Sequence, residues 1–283
     1  MTQDVVTRFA PSPTGLLHLG HAYSALMAWN LAQNCGGRFL LRIEDIDGTR
    51  CRPEYDAALK EDLKWLGINW EEPVRRQSEH RPEYSSVAQQ LWQCGLLYPC
   101  FCSRAEILRE IEGAGGAPHG ADGPLYPGIC RRLSVDEAGA RIRRGDQYAL
   151  RLNLQRAIEV AGSGLVWTDL QRGIQEARPE LLGDVVMVRR DIGCSYHLCV
   201  VWDDALQGVT HVSRGEDLFE ATHLHRLLQA VLNLPTPVYA HHGLLRDASG
   251  RRLAKRDRDE TLTALREQGV SREEILRRVG LLS

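Results

Sequence analysis

The chain has 283 residues, 43% hydrophobic and 25% charged, enough apolar material to bury a core as one large domain or two ordinary ones. Its formal net charge of −2 excludes a chain that is basic overall, although a local basic patch can hide inside a neutral total. The opening Met1-Thr2-Gln3-Asp4 lacks the basic and apolar regions of a secretory signal, and no apolar stretch is long enough to span a bilayer, so a cytoplasmic protein is expected. In chain order, residues 5–10 read as a short strand that runs into Pro11-Ser12-Pro13-Thr14-Gly15, where two prolines and a glycine forbid regular structure. Helical periodicity follows over residues 19–33, with Ala22, Leu26, Trp29 and Leu31 on apolar positions, and Gly36-Gly37 stops it. Residues 38–43 read as a second strand. Strand, helix and strand make a βαβ unit, which implies a parallel sheet with helices on its faces.

Two further helices are expected over residues 53–66 and 82–94. Residues 113–124 are almost all glycine, alanine, proline and small polar residues, too poor in bulky apolar groups to form a core. Residues 99–132 therefore read as an inserted subdomain with a loose loop inside. Strands are predicted over 148–154, 185–189 and 198–202, then a helix over 221–232 and a short terminal one over 272–279.

The segment Gly15-Leu16-Leu17-His18-Leu19-Gly20-His21 leads from strand to helix, a place where free backbone N–H groups and the helix dipole suit an anion. It lacks the Lys-Ser or Lys-Thr of a Walker loop and the Gly-x-Gly-x-x-Gly of a dinucleotide fingerprint. His18 and His21 are expected on adjacent helical rungs facing the same way. Two imidazole donors there can stabilise charge building on an attacked phosphate; solvated or capping histidines are the plainer alternative. The run from Arg251 to Arg258 carries five cations in eight residues, either a solvated loop or a phosphate-facing patch.

Of the eight cysteines, Cys100, Cys102 and Cys130 are grouped among polar, turn-forming residues. Cys194 and Cys199 read as small core residues in or beside a strand. Three thiolates make most of a tetrahedral zinc site, and the residues alone leave the fourth ligand open between His119 and Cys94. Such a zinc, one per chain, is expected to be structural, tying down an insertion with almost no core of its own.

Arg8-Phe9-Ala10-Pro11-Ser12-Pro13-Thr14-Gly15 followed by His18-Leu19-Gly20-His21 resembles the first signature of glutamyl-tRNA synthetases. Arg252-Leu253-Ala254-Lys255-Arg256 stands where that family has its second, the KMSKS loop, and Arg42-Ile43-Glu44-Asp45-Ile46-Asp47 and Gly183-Asp184-Val185-Val186 match further motifs in order. The resemblance spans residues 8–255. It implies an α/β fold, a class I synthetase Rossmann-type parallel sheet built from residues 1–98 and 133–258. The zinc-bearing insertion, 99–132, falls between them, a short helical segment, 259–283, follows, and no anticodon-binding domain is expected. The missing half and the cysteine-bearing insertion resemble a truncated subfamily that attaches glutamate to the base queuosine in the anticodon loop of tRNA(Asp).

What the resemblance implies is activation of L-glutamate by ATP and magnesium without tRNA. It assigns His18, Gly20, His21 and Lys255 to ATP, with His18, His21 and Lys255 catalytic. It assigns Arg8, Ala10, Ser12, Glu44, Tyr196 and Arg214 to the amino acid. Arg8 reads as the partner of the side-chain carboxylate, because a planar guanidinium can give it two parallel hydrogen bonds; Glu44 reads as the holder of the α-ammonium. For the fourth zinc ligand the resemblance selects Tyr126 over His119. A monomer acting on the queuosine-bearing anticodon arm, with no membrane partner, is the expectation. Two residues depart from the pattern. Val200 stands where full-length enzymes usually carry an amino-acid-binding asparagine, a lost hydrogen bond worth ~1–3 kcal/mol if its partner is buried, and Ala254 replaces a hydroxyl residue of the second motif. The rival readings are a truncated glutamyl-tRNA synthetase charging the acceptor end, a nucleotidyltransferase with a His-x-Gly-His turn, and a catalytically silent zinc-bearing RNA-binding protein.

Overall fold

The computed structural model describes residues 4–113, 119–120, 123–191, 193–245 and 261–282. From β1 (Val6–Phe9) the proline-rich loop leads to α1 (Leu19–Asn34), and β2 (Arg38–Ile43) returns parallel to β1 with Arg8 opposite Leu40. The helix lies close to the sheet because the residues it turns inward are mostly small: Ala22, Ala25, Ala28 and Ala32 are buried around Leu26. After α2 (Pro53–Trp65), which begins with proline where the missing N–H costs nothing, β3 (Glu71–Arg76) adds in parallel to β2. Next come α3 (Arg81–Gln93), β4 (Leu97–Cys100), α4 (Arg104–Gly113) and a short antiparallel pair, β5 (His119–Gly120) with β6 (Gly123–Pro124). The chain continues through α5 (Val135–Arg143), β7 (Ala149–Leu152), α6 (Leu154–Ala161), β8 (Val166–Asp169) and β9 (Gly173–Glu176). It then forms β10 (Val186–Arg189), β11 (Gly193–Cys194), α7 (Tyr196–Leu206) and β12 (His211–Gly215). Last are α8 (Ala221–Val231), β13 (Val238–His242), α9 (Leu262–Glu267) and α10 (Arg272–Arg278).

β12 lies along the other edge of β1, where the Thr210 N–H donates to the Val6 carbonyl at 3.0 Å and the Val6 N–H to Thr210 Oγ1 at 2.8 Å. β13 and β8 follow in parallel beyond it. The strand order is thus β3-β2-β1-β12-β13-β8, and the chain leaves β1 toward opposite sides. In such a sheet the crevice beyond the carboxyl ends of the two diverging strands is where ligands bind. Here it is the end of β1 and β12.

The parallel sheet is only part of the architecture. β11-β10-β7-β4 form a separate, wholly antiparallel sheet, packed with α3, α7 and α8 around a second apolar cluster that includes Tyr84, Leu152, Leu198 and Leu224. The strand predicted over residues 198–202 is instead the middle of α7. Leu198, Cys199, Val200 and Val201 are all buried there, so the helix is apolar on every side, and a short apolar run of that kind has no period to separate helix from strand. Cys194 and Cys199 are buried, as core residues. α9 and α10 close the far side, with Leu262, Leu265 and Ile275 joining Leu59, Leu63 and Leu66 in one cluster. Among the described residues no helix is long and apolar enough to cross a membrane. Lys255, Ala254 and the rest of the basic run, Arg251 to Arg258, lie outside the described residues.

Candidate active site

The two motif histidines meet, but not as helical neighbours. His18 is extended and caps α1, with its Nδ1 accepting the Gly20 N–H at 3.0 Å, while His21 on the first turn returns its own Nδ1 to the His18 N–H at 3.2 Å. This reciprocal cap satisfies two backbone donors that a helix start leaves unpaired, and it brings the ring centroids to 3.9 Å. With each Nδ1 accepting, the neutral rings carry their protons on Nε2, where they serve as donors. Gly20 is required by this packing, because a Cβ there would lie 2.9 Å from the His18 ring.

At the ends of β1 and β2 four ionic side chains interlock. Arg8 donates from Nε to Asp204 at 3.0 Å and from one terminal nitrogen to the Ser213 carbonyl at 3.3 Å. Arg42, fully buried, reaches Asp204 at 2.8 Å, Glu44 at 3.0 Å and Gln207 at 3.1 Å. Adjacent Asp203 accepts from Arg75, Gln77 and Tyr84 at 2.8, 3.0 and 3.0 Å. Charges this deep persist only when each is multiply paired. Burial acts against the Asp204 carboxylate, but Arg8 and Arg42 outweigh it and hold its pKa low. For Glu44 the balance reverses: burial exceeds the pull of Arg42 and Arg8, and its pKa is raised.

A cavity of about 550 Å³ opens at the ends of β1 and β12. It is lined by Arg8, Ala10, Ser12, Glu44, Tyr196 and Arg214 together with His18, Gly20 and His21, so every described residue assigned from the sequence to amino acid or ATP is on its wall. Chain flanking the undescribed 246–260 is also here: Leu244 and Leu245 line the cavity, and Thr261 pairs with His18. Val200 lines no cavity described here but packs in the apolar cluster of α7 and α8. A second, larger cavity of about 810 Å³ meets the first at Ser12, Glu44 and Tyr196, and its far wall includes Leu125 and Tyr126 from the cysteine-bearing insertion.

In that insertion the sulfurs of Cys100, Cys102 and Cys130 lie within 4.8 Å of one another. Thiolates at ~2.3 Å from a tetrahedral zinc stand about 3.8 Å apart, so the group fits a metal ion. The Tyr126 hydroxyl is 3.4 Å from the Cys100 sulfur and 3.6 Å from that of Cys102, and it accepts the Cys130 N–H at 2.9 Å. Burial opposes the Cys100 thiolate, but Tyr126 and Arg151 bring its pKa below the usual thiol value, whereas burial pushes Cys102 up to about 12. Cys94 is exposed at the end of α3 and is not in the group. Arg151 stacks on Tyr126 with its guanidinium carbon 3.9 Å from the ring centroid.

Sequence reading missed Asp203, Asp204, Asp169, His241 and His225 and noted Arg42 only inside a motif; these side chains anchor the residues it found. One signal was available: an apolar helical run ending in Trp202-Asp203-Asp204 leaves two acids on a segment with no solvated face. Asp184 was noted only inside a motif. It accepts from Tyr98 at 2.5 Å, from Arg131 at 2.9 Å and from the Leu154 N–H at 3.1 Å, joining the insertion to the antiparallel sheet and α6.

A family profile described as tRNA synthetases class I (E and Q), catalytic domain, matches residues 4–283. The chain is 51% identical over 282 residues to the glutamyl-Q tRNA(Asp) synthetase of Rhodobacter capsulatus, covering 98% of this chain and 100% of that one. It is 42% identical to the protein of that name from Symbiobacterium thermophilum, over 98% of this chain and 85% of the other. The glutamate–tRNA ligase of Aquifex aeolicus is 39% identical over 280 residues, but the match spans only 57% of its length. A solved glutamate tRNA ligase from Elizabethkingia meningosepticum, in complex with its amino acid, superposes with a TM-score of 0.76 at 30% identity, covering 91% of this chain and 53% of that one. The chain therefore belongs to the class I tRNA synthetase (E and Q) family, whose members are aminoacyl-tRNA synthetase ligases.

Proposed function

We propose that this enzyme activates L-glutamate with ATP and then transfers it to a hydroxyl of queuosine in the anticodon arm of tRNA(Asp). The observation that carries the first step is one cavity, at the switch point of the sheet, holding a buried Arg8, Glu44 and Arg214 beside the His18–His21 pair. Arg8 has donors beyond those given to Asp204 and Ser213 and pairs with the side-chain carboxylate. The α-carboxylate oxygen of glutamate attacks the α-phosphorus, the bond to the β-phosphate oxygen breaks, and pyrophosphate leaves. His18 and His21 donate to the phosphate oxygens as charge builds; this is positioning and charge stabilisation, with no protein nucleophile. Magnesium arriving with ATP neutralises phosphate charge, and Lys255 supplies a further cation there. Cys100, Cys102, Cys130 and Tyr126 hold a structural zinc.

The transfer step rests on the names of the more similar relatives and on the larger cavity, which reaches the first at Ser12, Glu44 and Tyr196. A nucleophile entering there meets the activated carbonyl; its hydroxyl oxygen bonds to the carbonyl carbon, AMP leaves, and the hydroxyl proton goes to solvent. The test is an anticodon stem-loop of tRNA(Asp) with a blocked 3′ end. It should accept glutamate when it carries queuosine and not when it carries guanosine. If the queuosine hairpin accepts none while intact tRNA is charged at its 3′ end, the chain is an acceptor-end glutamyl-tRNA synthetase instead.

Glu44 gives this reading a pH signature. The carboxylate must be ionised to pair with the α-ammonium, and burial raises its pKa. Affinity is therefore complete above the raised value and lost as pH falls through it, starting above the ordinary ~4.3 of a glutamate side chain. In pyrophosphate exchange, KM for glutamate should climb on acidification before free glutamate itself titrates. Glu44→Gln should show a high KM throughout, without that limb. A wild-type KM that climbs on acidification no earlier than that of Glu44→Gln would remove Glu44 from the ammonium role.

A further inference from the structure

Arg214 is the centre of a buried polar chain that crosses the sheet into two helices. At one end Asp169, at the end of β8, accepts the Gln171 and Arg172 N–H groups on Oδ1 at 2.9 and 3.0 Å. Its Oδ2 accepts the His241 N–H at 3.2 Å and lies 2.7 Å from His241 Nδ1. A carboxylate only accepts, so Nδ1 carries the ring proton and Nε2 keeps its lone pair. That lone pair takes the Arg214 Nε–H at 3.1 Å. On the other side a terminal nitrogen of Arg214 stands 3.2 Å from His225 Nδ1. A guanidinium only donates, so the His225 proton is on Nε2, which faces His197 Nδ1 at 3.1 Å. The second terminal nitrogen donates to Thr222 Oγ1 at 2.6 Å and to the Leu218 carbonyl at 3.2 Å.

Four of the five guanidinium hydrogens are thereby committed to protein, and the remaining one belongs to the nitrogen beside His225. We propose that Asp169, His241 and His225 are positioning residues: Asp169 fixes His241 as an acceptor toward Arg214, His225 offers a second acceptor with its own proton facing His197, and together they hold the guanidinium in the single orientation that meets the amino-acid carboxylate. The inference rests on the reading of Arg214 as a glutamate contact. Burial and the Arg214 charge hold His241 at about 4 and His225 well below the usual histidine value, so neither ring takes up a second proton near neutral pH and the nitrogen facing Arg214 stays an acceptor.

Asp169→Asn tests the chain at its origin. An amide can keep its oxygen toward Gln171 and Arg172 only by turning its NH₂ toward His241. Nδ1 must then accept, the ring proton moves to Nε2, and Nε2–H opposes Arg214 Nε–H. With the full chain labelled with ¹⁵N-histidine, the wild type should show His241 protonated on Nδ1 and the variant on Nε2. In glutamate-dependent pyrophosphate exchange, KM for glutamate should rise about 10- to 100-fold, the range for losing a hydrogen bond to a charged group, with KM for ATP and kcat nearly unchanged. His241→Asn, which keeps a group toward Asp169 but none toward Arg214, should show the same rise. His241→Gln, whose oxygen reaches the Nε2 position, should recover most of the loss; a purely structural histidine would give no such split. Wild-type His241 protonated on Nε2, or unchanged glutamate KM in both Asp169→Asn and His241→Asn when Arg214→Lys raises it, overturns the proposal. Unchanged KM in Arg214→Lys itself refutes the glutamate reading of Arg214, whatever the tautomers.

Discussion

Replacing Arg8 by alanine should lower kcat/KM for glutamate in pyrophosphate exchange by roughly 10²–10⁴. The factor corresponds to the ~3–5 kcal/mol expected when one member of a buried ionic arrangement is removed. Two losses combine. The side-chain carboxylate of glutamate loses its planar partner, and Asp204 is left with Arg42 as its remaining cation, since Arg8 and Arg42 share the same carboxylate oxygen. Arg8→Lys keeps a positive charge but not the fork, and should recover only part of the rate. ATP affinity, read by direct titration, should stay within a few-fold of wild type because the His18–His21 cap does not involve Arg8. A drop below about tenfold for Arg8→Ala with ATP affinity intact would take the carboxylate away from this residue.

The second large effect concerns metal. Freshly purified protein should contain about one zinc per chain, and Cys102→Ser or Cys130→Ser should release it. The insertion has little else to hold it: its buried apolar cluster consists of Cys100, Phe101 and Cys130, with Tyr98, Tyr126, Leu133 and Tyr148 partly covered beside them. Structural zinc contributes on the order of 10 kcal/mol to small domains that fold around it. Its loss should open residues near 99–132 to protease while the parallel sheet, with its own core, stays protected. Full zinc retention in Tyr126→Phe would place the fourth ligand elsewhere. Metal-free protein with an unchanged cleavage pattern would remove zinc from the account.

Of the residues that touch ligands in this reading, those from Arg8 to His21 and Glu44 sit in the short motifs that carry the resemblance, whereas Tyr196 and Arg214 came from the resemblance alone. Arg8 to His21 contains a strand end, two prolines and two glycines, and that local grammar is what sequence preserves. The supporting shell was not visible for the opposite reason. Arg8 and Asp204 are 196 positions apart and His241 and Asp169 are 72 apart, and nothing local marks a charge as buried. His18 and His21 do meet, but through the capping arrangement that the sequence offered as the plainer alternative and not through helical spacing. The helix read as a strand at residues 198–202 failed on the same ground as its neighbours Asp203 and Asp204: both signals depend on knowing that the segment is enclosed.

Among the described residues only Ser12, Glu44 and Tyr196 line both cavities. Apart from Gln77 and His197, which reach Asp203 and His225, the rest of the larger cavity's wall does not border the chamber proposed for the first chemistry. Thr14, Arg50 and Gln77 belong to that wall, as do Leu125 and Tyr126 of the insertion. On the proposed two-step reading, two selectivities that share so small a border can evolve on separate schedules, and a lineage can exchange one acceptor for another while its fuel and its cargo stay the same. The narrow partition makes the scaffold evolutionarily modular inside a single folded body.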